Sequence, residues 1–447
     1  MSSLQAGPLL ITSNDTHLNE PRAVPVQEIS LPSDQPSEAI TEAAPAMDPA
    51  AADTPTFSNV DALPSIEEAA PAEYPDPLQP FNLLGTEVPS GNKKILSWTY
   101  SQTNEGITSP APVIVVHGTK PGPVMCLTAA IHGDELNGIE IVRRVLNNLD
   151  AEKLTGTLIG VPIVNIQGFH RASRYLPDRR DLNRYFPGKL YGSSASRIAY
   201  SFFNEIIVHC DALVDLHTGS LHRTNLPQLR ADLSNPRVLE LTQGFGATVV
   251  LHHTGTKGTL RRSATDRGIP AVTLETGGAM QLHEKPVTHG AKGILTLLYK
   301  LGMYKKSSLW GEPEPVYYKS TWVRTNQGGI LFSRVALGQR VKKGQLLGTV
   351  TDPITNARQE IFATRKGRIL GMALNQVVQP GFAAYRIGIQ TSEEPDQVQG
   401  DELEDEEDPA AHPAYDSTSE EEPDLAHAGI DPDIDQNIDR DILEDSE

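Results

Sequence analysis

Three points along this 447-residue chain carry side chains that could do chemistry together. His132 and Glu135, in Ala130-Ile131-His132-Gly133-Asp134-Glu135, form an H-x-x-E where an apolar strand gives way to a helix, a turn that can aim both side chains at one place. A lone H-x-x-E is common by chance and needs company. Val214-Asp215-Leu216-His217-Thr218-Gly219 supplies it: a second apolar strand that ends in histidine and a glycine-containing turn. A third strand, Ala271-Val272-Thr273-Leu274, ends in Glu275 ahead of Thr276-Gly277-Gly278. In open α/β sheets ligands bind beyond the carboxyl ends of strands, so these side chains are expected at one edge. Two imidazoles and a carboxylate are a usual protein set for a catalytic zinc, with one position left for water. His132, Glu135 and His217 are therefore the expected ligands of one Zn2+ per chain, and Glu275 the base that takes a proton from water and returns it to a leaving amine. Asp215 is assigned to the strand face opposite His217, as a core or supporting group and not a ligand.

Between the first two metal points runs a basic loop, Arg174 to Gly188, containing Asp178-Arg179-Arg180 and Asp181-Leu182-Asn183-Arg184. Guanidinium forks grip carboxylates with two bonds, and one beside a metal can stabilise an oxyanion. A substrate-binding role is expected there. His252 and His253 also adjoin, but neighbouring strand residues face opposite ways, so at least one is expected to be structural.

Short apolar runs alternate with amphipathic stretches from about residue 81 to 312, the pattern of an α/β domain around a largely parallel sheet. Strands are expected at 113–116, 124–131, 158–164, 211–216, 247–251 and 271–274. Helices are expected at 136–149, 196–209 and 289–301, the first with Leu136, Ile139, Val142, Leu146 and Leu149 on one face. From about Pro315 the texture becomes Gly-punctuated β segments, predicting a small all-β domain over 313–391, a barrel or sandwich of hairpins. It looks most like a biotinyl/lipoyl-like module, but Lys342-Lys343-Gly344 lacks the methionine-flanked lysine of an attachment site.

The net charge of −19 is concentrated at the ends. Residues 1–80 are net −12 and 392–447 net −22, which leaves +15 on 81–391. Both ends are read as disordered acidic segments, too poor in patterned apolar residues to offset their ordering entropy. A basic middle attracts anions. No basic segment leads into an apolar stretch at the N-terminus, and no apolar run approaches a membrane span; a cytoplasmic protein with no membrane partner is expected. Cys126 and Cys210, far from a CxxC spacing, are read as buried small hydrophobes and not as a disulfide.

The ordered motifs His132-Gly-Asp-Glu135, Asp181-Leu-Asn-Arg-Tyr-Phe-Pro-Gly188, Asp215-Leu-His-Thr-Gly219 and Leu274-Glu-Thr-Gly-Gly278 resemble the succinylglutamate desuccinylase/aspartoacylase family, a relative of the zinc carboxypeptidases. The likeness spans roughly 85–390. It implies a zinc-carboxypeptidase-like α/β domain with a β domain over part of the active-site mouth. It also implies that Arg174 polarises the scissile carbonyl, that Asn183 and Arg184 grip a substrate carboxylate, and that an arginine ahead of the catalytic glutamate holds an anionic group. Arg261 is the candidate for that arginine, with Arg262 and Arg267 competing. The extra charged pair at Asp178-Arg179-Arg180 departs from the family pattern and bears on acyl preference. Tyr317, Tyr318 and Tyr385 are weighed as β-domain contacts and none is chosen.

The reading is a zinc-dependent amidohydrolase acting on a small anionic N-acyl amino acid-like substrate. Two rivals are a zinc carboxypeptidase acting on peptide C-termini and a non-catalytic binding protein of the same fold. Nucleic acid is not an expected partner, because the basic residues lack the interleaved aromatics of single-strand binders. Homo-oligomerisation is left open.

Overall fold

The computed structural model describes residues 78–100, 110–220, 222–305 and 314–390; apart from residues 78–80, the two acidic ends lie outside the described residues. At its centre the strand Lys120–Ala129 runs parallel to Thr155–Val161 on one side and to Ala212–Gly219 on the other, and Ala212–Gly219 is parallel to Ala271–Gly278. These strands are nearly continuous apolar runs because helices cover both faces, and Ala212–Gly219 and Ala271–Gly278 are buried along their whole length. Alternation sorts their side chains: Met125, Leu127 and Ala129 enter one core with Ile141, Val142, Leu146 and Leu297, whereas Cys126 enters the other with Ile198, Phe202 and Leu260. The helices Leu136–Asn148 and Glu284–Lys300 therefore pack on one face, and Ser194–Glu205 and Leu260–Asp266 on the other.

The expected helix over 136–149 is Leu136–Asn148, and the expected strands lie within a few residues of the observed ones. The mixed α/β class with a largely parallel central sheet stands. The strand Arg223–Ala231 was not expected. Its sequence, Arg-Thr-Asn-Leu-Pro-Gln-Leu-Arg-Ala, offers no apolar run and has an internal proline, which cannot donate to a ladder. Pro227 falls where the pairing changes hands, since the strand pairs with Gly371 through Asn225 and with Val249 through Gln228.

From 314 to 390 the described elements are strands alone. Gly329–Ser333, Leu346–Thr351, Arg358–Phe362 and Val377–Val378 form one sheet around Leu331, Leu347, Val350 and Ile361. Lys319–Arg324, Gly367–Ala373 and Ala383–Ile389 instead extend the main sheet beyond Arg223–Ala231. The C-terminal β segment is thereby stitched to the strand next to Glu275.

The cysteine reading is corrected. Cys126 and Cys210 are buried, but they form a disulfide with their Cα atoms 5.8 Å apart. The reason is sheet register: Cys126 pairs with Leu213 on the neighbouring strand, which brings Cys210, just ahead of that strand, alongside it. A separation of 84 residues hides this contact from the sequence. Among the described residues no helix is long and apolar enough to cross a membrane.

Candidate metal centre and active site

His132 is delivered by a turn with no slack. The strand Lys120–Ala129 ends at Ala130, whose φ of 49° turns the chain out of the sheet, and the N–H of Asn165 closes on the Ala130 carbonyl at 2.9 Å. Gly133 then passes so close to Gly168 that a Cβ would lie 2.1 Å from its carbonyl carbon. Glu135 stands at the N-cap of Leu136–Asn148 but makes no capping bond. Its carboxylate turns instead to the site, where Oε1 meets His132 Nδ1 at 2.9 Å and Oε2 meets His217 Nδ1 at 3.0 Å and accepts from the Thr218 N–H at 2.9 Å. His217 lies near the end of Ala212–Gly219, with Nδ1 3.2 Å from Nδ1 of His132.

These three buried side chains can each offer one atom within 4.8 Å of the others, so they could hold a metal ion. The donor geometry fits one. Two nitrogens each about 2.05 Å from a tetrahedral zinc lie about 3.3 Å apart, against the 3.2 Å between the imidazoles. Both far ring nitrogens are engaged by carboxylates: His132 Nε2 with Asp181 at 3.0 Å and His217 Nε2 with Asp215 at 2.8 Å. A carboxylate only accepts, so each Nε2 carries a hydrogen, and each Nδ1, which faces the Glu135 carboxylate, is the atom left to a cation once its own proton is displaced. Burial disfavours charge on both rings, yet the facing carboxylates outweigh it and raise both histidines above their ordinary range, His217 well above. Burial likewise pushes Glu135 up, but His132 and His217 outweigh it and its carboxyl ends below its usual range. A cation displaces protons from this acid-rich nest.

Asp215 is the second correction. Residues two apart in a strand share a face, and Asp215 stands beneath His217 on the same side, also accepting from Thr128 Oγ1 at 2.6 Å. Its placement as a supporting group and not a ligand is retained. Asp181, which the sequence offered only as part of a motif, caps the short turn Leu182–Arg184 by accepting from the Asn183 N–H at 2.9 Å while it holds His132 and Arg174.

Glu275 pairs in register with His217 on the adjacent parallel strand and is buried, with Asn225 Nδ2 donating to it at 3.0 Å and Arg230 Nε forming an ion pair with it at 3.4 Å. The ladder shifts register just after it, next to Gly277 at φ 73°, a bulge that re-aims a side chain beside a site. Glu275 and the three candidate ligands line one cavity with Arg174, Asn183, Arg184 and Arg261. Every sequence-predicted site residue is thus at one place. Arg174 bridges Glu135 at 3.2 Å and Asp181 at 2.9 Å. Asn183 accepts from the Leu260 N–H at 2.8 Å, and Arg184 donates to the Asn183 carbonyl at 2.8 Å.

Of the three competing arginines, Arg261 reaches the cavity, donating to the His253 carbonyl at 2.8 Å. Burial and the nearby Arg230 lower it to about 10. Arg262 pairs with Asp266 on the surface of its helix, and Arg267 caps that helix. His253 lines the cavity, whereas His252 Nδ1 accepts from the Leu233 N–H, in keeping with the opposed faces. Arg180 pairs with Asp178. Sequence reasoning missed Arg223, Asn225 and Arg230, which lie on the unpredicted strand, and Trp322 and Arg386, which come from the C-terminal strands. An arginine at each end of 223–231 is the one signal that could have marked them.

Residues 121–301 match the family model described as succinylglutamate desuccinylase/aspartoacylase catalytic domain. The chain is 29% identical over 254 residues to the N-alpha-acetyl-L-2,4-diaminobutyric acid deacetylase of Halomonas elongata, across 54% of this chain and 74% of that protein. Among solved structures it is similar to a succinylglutamate desuccinylase from Silicibacter sp. TM1040, with TM-score 0.60 and 25% identity over 67% of this chain and 94% of that one. It shares the fold of the product-bound ectoine utilization protein EutE from Ruegeria pomeroyi, with TM-score 0.62 and 24% identity over 70% and 98% of the two chains. The family model over residues 121–301, the deacetylase relative and the solved structures all indicate the succinylglutamate desuccinylase/aspartoacylase family as the one this chain is similar to.

Proposed function

We propose that this protein is a zinc-dependent deacylase that hydrolyses the amide bond of a small N-acyl amino acid. The observation that carries the reading is the pair of Nδ1 atoms 3.2 Å apart beside the Glu135 carboxylate, each ring held from behind by an aspartate. The amino-acid deacetylase among its relatives supports the substrate class.

His132, Glu135 and His217 would hold the ion. When bound, zinc supplies a Lewis acid that brings the pKa of water to about 7. Glu275, across the strand pair from His217, takes the proton of the attacking water and later delivers it to the leaving amine; Asn225 and Arg230 orient its carboxylate. Arg174 is held by Glu135 and Asp181 with its guanidinium in the cavity, where it can polarise the scissile carbonyl and stabilise the oxyanion. Asn183 and Arg184 bind the α-carboxylate of the amino acid, and Arg261, deeper among the basic side chains, holds a further anionic group. The products are a carboxylic acid and a free amine.

The test is a panel of N-acetyl and N-succinyl amino acids beside short peptides, assayed with the zinc-loaded protein. The reading predicts turnover of the small N-acyl amino acids. Turnover of peptides alone would favour a carboxypeptidase, and no turnover together with no stoichiometric zinc would favour a binding protein.

A further inference from the structure

The two ladders that hold Glu275 both break immediately after it. Against Ala212–Gly219 the register passes from Glu275 with His217 to Gly278 with Gly219, and against Arg223–Ala231 from Glu275 with Gln228 to Gly277 with Asn225, so Thr276 has no partner in either register. The sheet fixes the backbone up to Glu275, and the chain just beyond it is held from another element. Asn137 holds it. This residue lies in the first turn of the helix Leu136–Asn148, two positions beyond Glu135, and is fully buried. Its Nδ2 donates to the Thr276 carbonyl at 2.9 Å, and its Oδ1 accepts from the His283 N–H at 2.9 Å. Gly277, at φ 73°, lets the amide in: a Cβ there would stand 2.5 Å from Asn137 Nδ2.

The segment that follows Glu275 is fastened twice more to the metal side of the cavity. The Met280 N–H donates to the Asp134 carbonyl at 2.8 Å, and the Ala279 N–H to the Gly219 carbonyl at 3.0 Å. The helix is itself seated on the strands that lead to the two histidines, since a Cβ on Gly138 would come within 2.9 Å of Leu216 Cβ and 3.0 Å of Ala129 Cβ. Asn137 thus belongs to the element that begins at Glu135 and grips the chain that leaves Glu275.

We propose that Asn137 is a positioning residue for the hydrolysis: by spanning Thr276 and His283 it fixes the main chain of Glu275 against His132, Glu135 and His217. The proposal rests on the deacylase reading and on Glu275 as its base. A carboxamide suits the task because it offers a donor and an acceptor in one rigid plane, and here a carbonyl faces one and an N–H the other. An apolar side chain would fill the volume and leave both buried backbone groups without that partner. Asn225 and Arg230 act on the Glu275 carboxylate, whereas Asn137 acts on the backbone that carries it. A misplacement of about 1 Å costs about 10²-fold in rate, so a hydrogen bond to the residue next to the base bears directly on turnover.

The test is a double-mutant cycle on the zinc-loaded full chain, using the member of the N-acetyl and N-succinyl amino acid panel that the parent turns over best. Asn137→Leu should lower kcat by about 10- to 100-fold while KM stays within about threefold, because the residues proposed to bind the substrate are left in place. In a Glu275→Gln background the same change should cost less than about twofold, since it acts through a side chain already disabled. Metal analysis should find stoichiometric zinc in the parent, both single variants and the double variant. Asn137→Asp keeps the acceptor for His283, and Asn137→Ala leaves room for water; the cycle is read on whichever of the three variants melts closest to the parent. An equal loss in both backgrounds, or a kcat within about twofold of the parent, overturns the positioning role and leaves the deacylase reading intact. Loss of zinc from the Asn137 variants also overturns it, because the residue would then act on Glu135, and so does failure of all three to fold. A parent that turns over no member of the panel overturns the deacylase reading itself, and the proposal with it.

Discussion

Replacing Asp215 by asparagine isolates what a buried charge behind a proposed metal-binding histidine contributes. Asp215 is fully buried and accepts from His217 Nε2 at 2.8 Å and Thr128 Oγ1 at 2.6 Å. An asparagine can keep both contacts: its oxygen still accepts from Nε2–H, and its amide donates to the threonine oxygen. The imidazole therefore keeps its tautomer, and only the acceptor's charge is lost. A hydrogen bond to a charged group contributes about 1.5–3 kcal/mol and a neutral one about 0.5–1.5. The difference, about 1–1.5 kcal/mol, corresponds to about 5- to 15-fold weaker zinc binding. Asp215 also helps to raise His217, so its loss weakens proton competition for Nδ1. The two effects oppose each other at acid pH, and the full loss of zinc affinity should appear only at alkaline pH. The assay is competition with a chromophoric chelator at pH 6.5 and pH 8.5, with melting temperature as a control for folding. Zinc affinity within twofold of the parent at pH 8.5, in a variant that melts normally, would refute the idea that this carboxylate tunes the ligand.

Three further outcomes are expected. Glu275→Gln should retain stoichiometric zinc and lose about 10²- to 10⁴-fold in kcat, the usual worth of a general base; metal analysis beside turnover checks both halves. Gly133→Ala places a Cβ 2.1 Å from the carbonyl carbon of Gly168, where only backbone could yield, so chemical denaturation should show a loss of about 1–3 kcal/mol or more, the cost of overpacking. Protein stripped of metal by a chelator should lose stability as pH rises. His132 and His217 are raised in the fold, so their contribution is complete below the unfolded histidine value of about 6.5 and fades as pH climbs through the raised folded values. Zinc-loaded protein should show the opposite trend over that window, and melting curves at matched pH distinguish the two.

His132, Glu135, His217 and Glu275 were legible before any coordinates because each marks the end of an apolar strand or the start of a helix, and strand ends in an α/β sheet share an edge. The helix Leu136–Asn148 and the core strands were legible for the same reason, since hydrophobic period and burial are local properties. The strand Arg223–Ala231 was not, because its few apolar side chains form no continuous run, a proline interrupts it, and its ladders are to strands distant in the chain. With it were lost Asn225 and Arg230, the partners of Glu275.

Residue type and order were enough to name the candidate metal ligands, the proposed base and the α/β class, because these follow from local pattern and from the chemistry of the side chains. Pairing across long separations was decided only in three dimensions: the Cys126–Cys210 disulfide, Asp215 and Asp181 behind the two histidines, and Trp322 with Arg386 opposite Arg223. Each depends on sheet register between strands distant in the chain, where a slip of one residue would turn every side chain to the other face. Register is a property of the assembled sheet, and no single strand encodes it.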